Sequence, residues 1–516
     1  MIRPNPVEVL EARIAPAFIL TPEISADGKS AKFVDVDGDL FTVTTSKGTF
    51  TEGNFVYVGE TETGPGYLQK IDLGLVTFGK MFQGAKIKVT VDEVVGDGFA
   101  DVGFINAAGI DLKQALVDGD LVRIDVGNAN VTTPAIGLLQ AAQLGFHTIT
   151  DAGVPDFISH VIGRINALEI GTWTDASIQV AGGPTEKTAT LGSIGRASIQ
   201  SLTGSDLEFS GTLAVAGSIG TLVMLGDVTG GSMNSTGVIF CGHRVGSLTI
   251  GGSILGGAGD LSGAVVSDAG GSLGIVVVGG SLEGSSGDFS GSIVGGGAIK
   301  SVSLNGDVKV GSAFLSGSVF GTSAKSITVA GNLIGGTAVG GILVEKKLGK
   351  LTLGGADGAS GPAYIIVGGP LSGGTAVGRI AVTHSLNGAR ILAGYNPDLQ
   401  LMNPNARIGK ITVGEDLIAT DIVAGIDGVN GVFGDADDRV SPDDTKPAFL
   451  SSIASIIVGG MIAGTEGGTD QFGILAERIG IVQIGEEILS LGKKTVDDLQ
   501  LGATGDYRLR ELTAVV

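Results

Sequence analysis

The chain has few of the residues that build disulfide-stabilised or aromatic-rich cores. Cys241 is the only cysteine among 516 residues, so no intramolecular disulfide can form. Aromatic residues make up only 5% of the chain, and Trp173 is the single tryptophan. Proline is scarce at 14 residues, which argues against a disordered proline-rich linker or a collagen. A buried core must therefore consist mainly of valine, isoleucine, leucine and alanine.

Long apolar segments are also missing, although the mean hydropathy is +0.39. The longest apolar stretches, such as residues 275–278, are strand-sized and lie near glycines. A transmembrane helix needs about 18 apolar residues, so the sequence predicts no transmembrane segment. Residues 1–20 do not form a standard signal peptide, because Glu8 and Glu11 interrupt the expected apolar run. Export has to be inferred from other features.

Positive charge is in the minority, with 32 Lys and Arg against 53 Asp and Glu, which gives a net charge of −21. An acidic surface repels phosphate backbones, so we predict no nucleic-acid partner. The same surface is compatible with divalent cations. A single thiol does not decide the cellular compartment.

Glycine is abundant, with 90 residues, and much of it belongs to a repeated phrase. The phrase is an apolar residue, a glycine or other residue, any residue, and a second apolar residue. It begins at Ile162, Ile194, Ile219, Val245, Leu273, Ile299, Ala324, Leu348, Val377, Ile408, Ile453 and Ile479. The steps between these anchors are 24 to 32 residues, with one exception of 45 residues. Such regular self-similarity is typical of a repeat architecture.

Each repeat has the pattern of short strands. Alternation over residues 247–250 places Leu248 and Ile250 on one face, with hydroxyl side chains on the other. Two further short apolar segments follow in the same repeat, and glycines separate all three. Three short strands in about 25 residues form one rung of a parallel β-helix.

We therefore predict an all-β protein, a right-handed parallel β-helix behind a small β-rich N-terminal segment. The predicted hand follows only from the general preference for right-handed crossovers. The predicted divisions are an export-associated signature at 1–17, a β-rich domain or cap at 18–100, β-solenoid repeats at 101–485 and a C-terminal cap at 486–516. Within the step of 45 residues, an acidic segment is predicted to leave the coil as a loop.

Two acidic clusters are candidates for calcium ligands. The first is Asp35, Asp37 and Asp39, whose alternate carboxylates on a tight turn can converge on one hard cation. It is not an EF-hand, because glycine stands at loop position four and Ser46 at position twelve. A plain acidic turn explains the same residues.

The second cluster is Asp435, Asp437 and Asp438, which a solvated loop explains equally well.

Nucleophile patterns do not favour an enzyme. Gly270-x-Ser272-x-Gly274 matches a nucleophile elbow, but such a match is expected by chance in a glycine-rich chain.

Three stretches together resemble a known group of exported proteins. Residues 10–17 read Leu-Glu-Ala-Arg-Ile-Ala-Pro-Ala and resemble the Leu-Glu-x-Arg-x-x-Pro-Ala signature near the start of many large exported proteins of planctomycete and verrucomicrobial type. Residues 33–40, with Ser46-Lys47-Gly48 after them, are similar to the segment that follows this signature in their glycine-rich repeat proteins. The Ile-Gly-x-Leu-x-Ile-Gly-Gly rungs complete the likeness. The resemblance implies a secreted or surface β-repeat protein and supplies no catalytic residues.

These observations predict a non-catalytic structural or adhesive scaffold, extracellular or on a bacterial cell surface, with calcium as a candidate ligand. Its predicted partners are other copies of the chain or components of the cell envelope or extracellular matrix. Two alternatives remain open. A β-helical polysaccharide lyase or hydrolase would need clustered acids, bases and aromatic sugar platforms, which the sequence does not offer on one rung face. An intracellular β-helical filament former would usually have a shorter and more regular rung.

Overall fold

Parallel β-strands dominate the computed structural model, which confirms the predicted all-β, solenoid-like fold. Within the described residues, 40 strands belong to one hydrogen-bonded sheet and two more form a separate small sheet. The structure describes residues 22–35, 37–58, 67–93, 95–128, 133–145, 157–182, 192–370, 374–442, 449–467, 470–492 and 496–513. The right-handed sense of the coil stays a prediction.

Each rung passes through three columns of stacked strands in a fixed order. The first column contains the anchor phrases. Its strands are Ile136–Leu144, Arg164–Thr174, Ser193–Thr203, Ser218–Met224, Arg244–Ile250, Ser272–Val278, Gly374–Val382, Ala406–Val413, Ser452–Val458 and Arg478–Ile484. Several strands bend around corners and contribute to more than one column, among them Leu112–Gly127, Ser193–Thr203, Ile293–Leu304, Val319–Ile334 and Gly341–Asp357.

The second and third columns complete each rung. The second column consists of two-residue strands, Val228–Thr229, Ile254–Leu255, Leu282–Glu283, Val308–Lys309, Leu386–Asn387, Leu417–Ile418 and Ile462–Ala463. The third column contains Ala100–Ala108, Ile158–Ile162, Ser177–Ala181, Thr212–Val215, Val238–Cys241, Ala264–Ser267, Ala363–Val367, Ala389–Ala393, Asp421–Ala424 and Phe472–Ala476.

The register confirms the predicted anchors, with one correction. From Ile194 to Ile479, each anchor lies directly opposite the anchor of the next rung. The prediction for Ile162 is wrong, because Ile165 is the residue opposite Ile194. Ile162 belongs to the third column, opposite Ala181, and is 37% exposed. Gly163, at φ 123°, turns the chain between the two columns, so its neighbours imitate the phrase.

Aliphatic side chains from all three columns fill the interior in rows along the coil. Leu248 and Ile250 are fully buried, as the alternation predicts, and Ile254 and Val265 complete their layer. Each rung lies about 4.8 Å from the next, so identical row positions stack closely. Branched aliphatic chains fit this spacing well. Most of the buried apolar residues therefore form one continuous cluster along the described coil, and two smaller clusters are separate from it.

Corners between the second and third columns repeat an unusual backbone. The residues Phe209, Ser235, Leu261, Phe289 and Leu315 all have φ between 55° and 60°. A fully buried serine or threonine follows each of them, and then a glycine, also with positive φ. At Gly263 a Cβ atom would lie 1.9 Å from the carbonyl oxygen of Leu255, so only glycine fits.

The N-terminal part begins with antiparallel strands. They are Glu23–Ile24, Ser30–Val34, Leu40–Thr45, Phe55–Val58, Tyr67–Asp72 and Lys86–Glu93, with a 3₁₀ turn at Glu52–Asn54 and a helical turn at Leu75–Phe78. Tyr67–Asp72 and Lys86–Glu93 also pair in parallel with the coil. Parallel pairing thus starts before residue 100, and the boundary at that residue stays a prediction. Antiparallel strands at this end cover an otherwise unpaired sheet edge.

At the other end, Glu487–Ile488 and Asp498–Leu501 pair antiparallel with coil strands. Tyr507–Glu511, the partner of Asp498–Leu501, also joins the third column in parallel with Phe472–Ala476. Within the step of 45 residues, Ile426–Asp427 and Arg439–Val440 form the separate two-stranded sheet. The acidic segment between these two strands therefore leaves the coil, as predicted.

Candidate metal centre

The first acidic cluster occupies the turn between two antiparallel N-terminal strands. Asp35 follows Ser30–Val34, and Asp39 precedes Leu40–Thr45. Asp35 and Asp39 are fully buried, whereas Asp37 is exposed. One oxygen from each carboxylate lies within 4.8 Å of the others. The backbone N–H groups of Gly38 and Asp39 donate to Asp35 Oδ1 at 3.1 and 2.7 Å, which fixes this turn.

The second oxygen of Asp35 has no hydrogen-bond donor among the described residues. Its neighbour in the cluster is the Asp37 carboxylate, which is also an acceptor when ionised. Burial, followed by the close approach and the charge of the Asp37 carboxylate, raises the pKa of Asp35 to about 8. A buried carboxylate oxygen that faces a second carboxylate is a natural cation ligand.

A glycine-rich loop closes over this cluster. The N–H groups of Gly96 and Gly98 donate to Asp39 at 2.6 Å, and the N–H of Asp97 donates to Asp37 Oδ2 at 2.7 Å. A Cβ atom at Gly96 would lie 2.0 Å from the Asp37 carboxylate. Close approach of the loop therefore requires glycine at this position. Carboxylate oxygens have further lone pairs, so Asp37 and Asp39 can hold the loop and still ligate a cation.

Two more buried carboxylates come from the first coil strands. Asp101 and Asp120 lie directly opposite each other in a parallel pair and are 8% and 2% exposed. Burial and the charges of Asp101 and Asp97 raise the pKa of Asp120 to about 7. Asp120 Oδ1 has no hydrogen-bond partner among the described residues. The charge of Asp101 also raises the pKa of Asp35, so the two groups are electrostatic neighbours.

Sequence reasoning missed Asp101 and Asp120. They lie more than 60 residues from Asp35 in the chain. Only the stacking of Ala100–Ala108 beside Leu112–Gly127 brings them together. A signal was available for Asp120, because Asp118-Gly119-Asp120 repeats the triplet Asp37-Gly38-Asp39 of the first cluster.

The second cluster differs in its charge balance. Asp435, Asp437 and Asp438 also place one oxygen each within 4.8 Å of one another. Arg510, however, approaches Asp438 Oδ2 at 3.3 Å and donates to the carbonyl oxygen of Asp435. The side chain of Asn430 donates to Asp435 at 2.7 Å.

A guanidinium thus already neutralises part of the second cluster. The first cluster has no such partner, since Asp35, Asp37 and Asp39 form no ion pair among the described residues. Calcium takes six to eight oxygen ligands and no nitrogen donors of this kind. The Asp35 cluster therefore fits a calcium ion better than the Asp435 cluster does.

The remaining candidates from the sequence have structural surroundings. Cys241 is fully buried in the third column, its Sγ lies 3.2 Å from the Gly217 carbonyl oxygen, and burial raises its pKa. Ser272 begins a coil strand and not a helix, so the nucleophile-elbow context is absent there. Residues 10–17 lie outside the described residues. Among those described, no helix has the length and apolar character to cross a bilayer.

Comparison with known proteins adds no family to these observations. No protein-family model, curated protein or solved structure matches this chain.

Proposed function

We propose that this protein is a non-catalytic structural scaffold of the cell exterior, released from or displayed on a bacterial cell. Its work is mechanical, because a coil of this kind resists bending and proteolysis. The partners we propose are components of the cell envelope or extracellular matrix, or further copies of the chain.

One observation carries this proposal, the parallel stacking of each anchor on the next from Ile194 to Ile479 around a continuous aliphatic core. Every rung in this part donates and accepts backbone hydrogen bonds on both sides. Local opening must therefore break two ladders at once, which limits access for proteases. The resemblance of residues 10–17 to exported proteins supports the external location.

Calcium has a specific place in this proposal. The Asp35 turn belongs to the antiparallel N-terminal strands, whereas Asp101 and Asp120 belong to the coil. A calcium ion held by Asp35 and Asp37, with Asp101 and Asp120 nearby, would fasten the N-terminal strands to the first rungs. External calcium concentrations suit sites of modest affinity.

The experiment that tests the location is immunogold labelling of intact native cells, with permeabilised cells as the control. Gold particles on intact cells are the expected result. Labelling only after permeabilisation would overturn the external scaffold and favour the intracellular filament instead.

A further inference from the structure

A row of basic side chains runs along the first column on its outer face. Lys350 lies directly opposite Arg379, and Arg379 lies directly opposite Lys410, so one cation follows another on three successive rungs. All three side chains are exposed. Like charges in direct register destabilise a sheet, because they repel across about 4.8 Å. The chain nevertheless concentrates them here despite its net charge of −21.

A surface groove lies on the preceding rungs, and its lining extends to Lys347 and Gly349, close in sequence to Lys350. This groove has a volume of about 530 Å³, and its cationic lining residues are Arg244, Lys300, Lys325 and Lys347. No aspartate or glutamate lines it. We call the groove and the row of Lys350, Arg379 and Lys410 together the basic trough.

The cations of the basic trough form no ion pairs with other described residues. The salt bridges of the coil lie elsewhere, for example between Lys309 and Glu283 or between Arg390 and Asp421. Glu345 is the acidic residue nearest in sequence to Lys347, and its side chain bonds to Thr322. These cations are therefore available to an external anion.

Glycines form the floor of the trough beside the basic row. Gly349, Gly378 and Gly409 each stand one residue before a cation, on successive rungs. A Cβ atom at Gly378 would lie 2.4 Å from the carbonyl oxygen of Gly349. Successive rungs therefore stack closely and without side chains along this line, beside the row of cations.

We infer that the basic trough binds an acidic polysaccharide whose chain runs along the coil axis. A uronic-acid polymer carries one carboxylate per sugar ring, and its regular charges can meet cations that recur on successive rungs. The hydroxyls of Ser272 and Ser323 line the same groove and can bond to sugar hydroxyls. This inference deepens the proposed scaffold by naming the chemistry of its envelope or matrix partner, and it rests on that proposal.

The groove favours a polysaccharide over a nucleic acid. Single-stranded nucleic acids bind mainly through bases stacked on aromatic rings, and the groove lining contains no aromatic residue. Duplex DNA carries one negative charge per about 1.7 Å, which the acidic remainder of this protein repels strongly. A polymer of lower charge density meets less repulsion.

The test uses the full chain and polygalacturonate, with dextran as the neutral control and single-stranded DNA as the competing class. The variant is Lys350→Ser, Arg379→Ser and Lys410→Ser combined. Serine suits this row because the chain itself has Ser301, Ser326 and other serines there on neighbouring rungs. Circular dichroism and thermal melting would verify that the triple variant is folded.

The matched control is Lys80→Ser, Lys88→Ser and Lys113→Ser combined, which removes the same charge from exposed lysines away from the trough. We expect the trough variant to bind polygalacturonate about tenfold more weakly, equivalent to about 1.4 kcal/mol, and the control variant to bind normally. Binding should also weaken with added salt.

Equal loss in both triple variants, or no loss in the trough variant, would overturn the site. Single-stranded DNA that binds as tightly as polygalacturonate and loses affinity in the trough variant would replace the polysaccharide with nucleic acid. The scaffold's location is measured separately by immunogold labelling, so failure of this inference can be told apart from failure of the proposed function.

Discussion

Among single residues, Asp35 gives the sharpest prediction, because the effect of its substitution on stability should depend on whether calcium is present. Without calcium, a pKa of about 8 leaves Asp35 largely protonated at neutral pH. The amide of Asp35→Asn can still donate to the Asp37 carboxylate, so stability should not fall. With calcium at a hundredfold excess over the dissociation constant, the wild-type protein should gain about 2.7 kcal/mol that the variant lacks. Thermal melting in calcium and in chelator measures both effects.

The second acidic cluster provides the control for that experiment. Asp437→Asn should leave the calcium-dependent gain unchanged, because Arg510 already neutralises its cluster. A wild-type protein that melts identically in calcium and chelator would remove the calcium site. A loss of the calcium-dependent stability gain in the Asp437→Asn variant would also argue against a calcium site at Asp35.

Asp421 predicts how stability depends on pH. Its carboxylate is 1% exposed and lies 3.1 Å from Arg390 Nε. Burial raises its pKa to about 7, although the charge of Arg390 opposes the shift and that of Asp438 adds to it. Because the folded pKa exceeds the usual value of about 3.9, stability is complete below that value and is lost as pH rises through about 7.

We therefore expect the melting temperature in chelator to fall between about pH 4 and pH 7, because in that range the unfolded carboxyl is ionised and the folded one is still protonated, and we expect Asp421→Asn to reduce the fall. Asp398→Asn, at an exposed position, should follow the wild-type curve. Tyr507 also lies near Asp421 but ionises far above this range. An unchanged fall in the Asp421 variant would assign the pH dependence to other groups.

The sequence reveals three of the five carboxylates of the candidate metal centre. Asp35, Asp37 and Asp39 are recognisable because three alternate carboxylates stand in one short turn. Asp120 stands in a similar triplet, Asp118-Gly119-Asp120, but its position beside Asp101 could not be predicted, because only the coil places the two together. The partial neutralisation of the second cluster was also not predictable, because Arg510 lies 72 residues after Asp438 in the chain and reaches it through the C-terminal strands.

Among the elements, the corners between the second and third columns depend on buried hydroxyl groups. Ser262 is fully buried, and its Oγ accepts a hydrogen bond of 2.8 Å from the N–H of Gly257. Ser262→Ala leaves this N–H without a partner and should cost about 1–3 kcal/mol. Hydrogen exchange over residues 255–264 is the suitable measurement, because stability in a solenoid is local.

The exposed Ser232 is the control for this corner. Its hydroxyl bonds to Asp206 at the surface, so Ser232→Ala should change exchange little. Unchanged protection from hydrogen exchange in the Ser262→Ala variant would show that water can replace the serine hydroxyl as the partner of the Gly257 N–H.

The strands were predictable from the sequence where side chains alternate and glycines separate them. Leu248 and Ile250 lie inside as the period of two requires, and Val245 aligns with Leu273. The corner backbone was not predictable, because Leu261 and Phe289 adopt a left-handed conformation that such residues rarely favour. Stacked neighbours impose that conformation, and no single repeat contains the information.

At the scale of the whole molecule, the register predicts that one rung can be removed. Ser218 lies opposite Arg244, and Ile219 lies opposite Val245. Deletion of residues 219–244 therefore joins Ser218 to Val245 and should restore the ladder with one rung fewer. We expect a soluble protein with unchanged β-signal per residue in circular dichroism.

Deletion of residues 219–231 is the informative control, because it removes only part of a rung. Every following strand would then meet the wrong column, and the apolar rows would face solvent. If both deletions fold equally well, or both fail, the rungs are not the independent units that the pairing indicates.

The basic trough gives this architecture a further consequence. Each rung contributes one position to the row of Lys350, Arg379 and Lys410, and the distance between positions is set by the backbone and not by the side chains. The coil thus fixes the spacing of the bound charges at one rung, and single residues decide which rungs carry a charge. Duplicating a rung would lengthen the ligand segment that the row can hold by one rung spacing. Replacing one basic residue would remove one contact without moving the others.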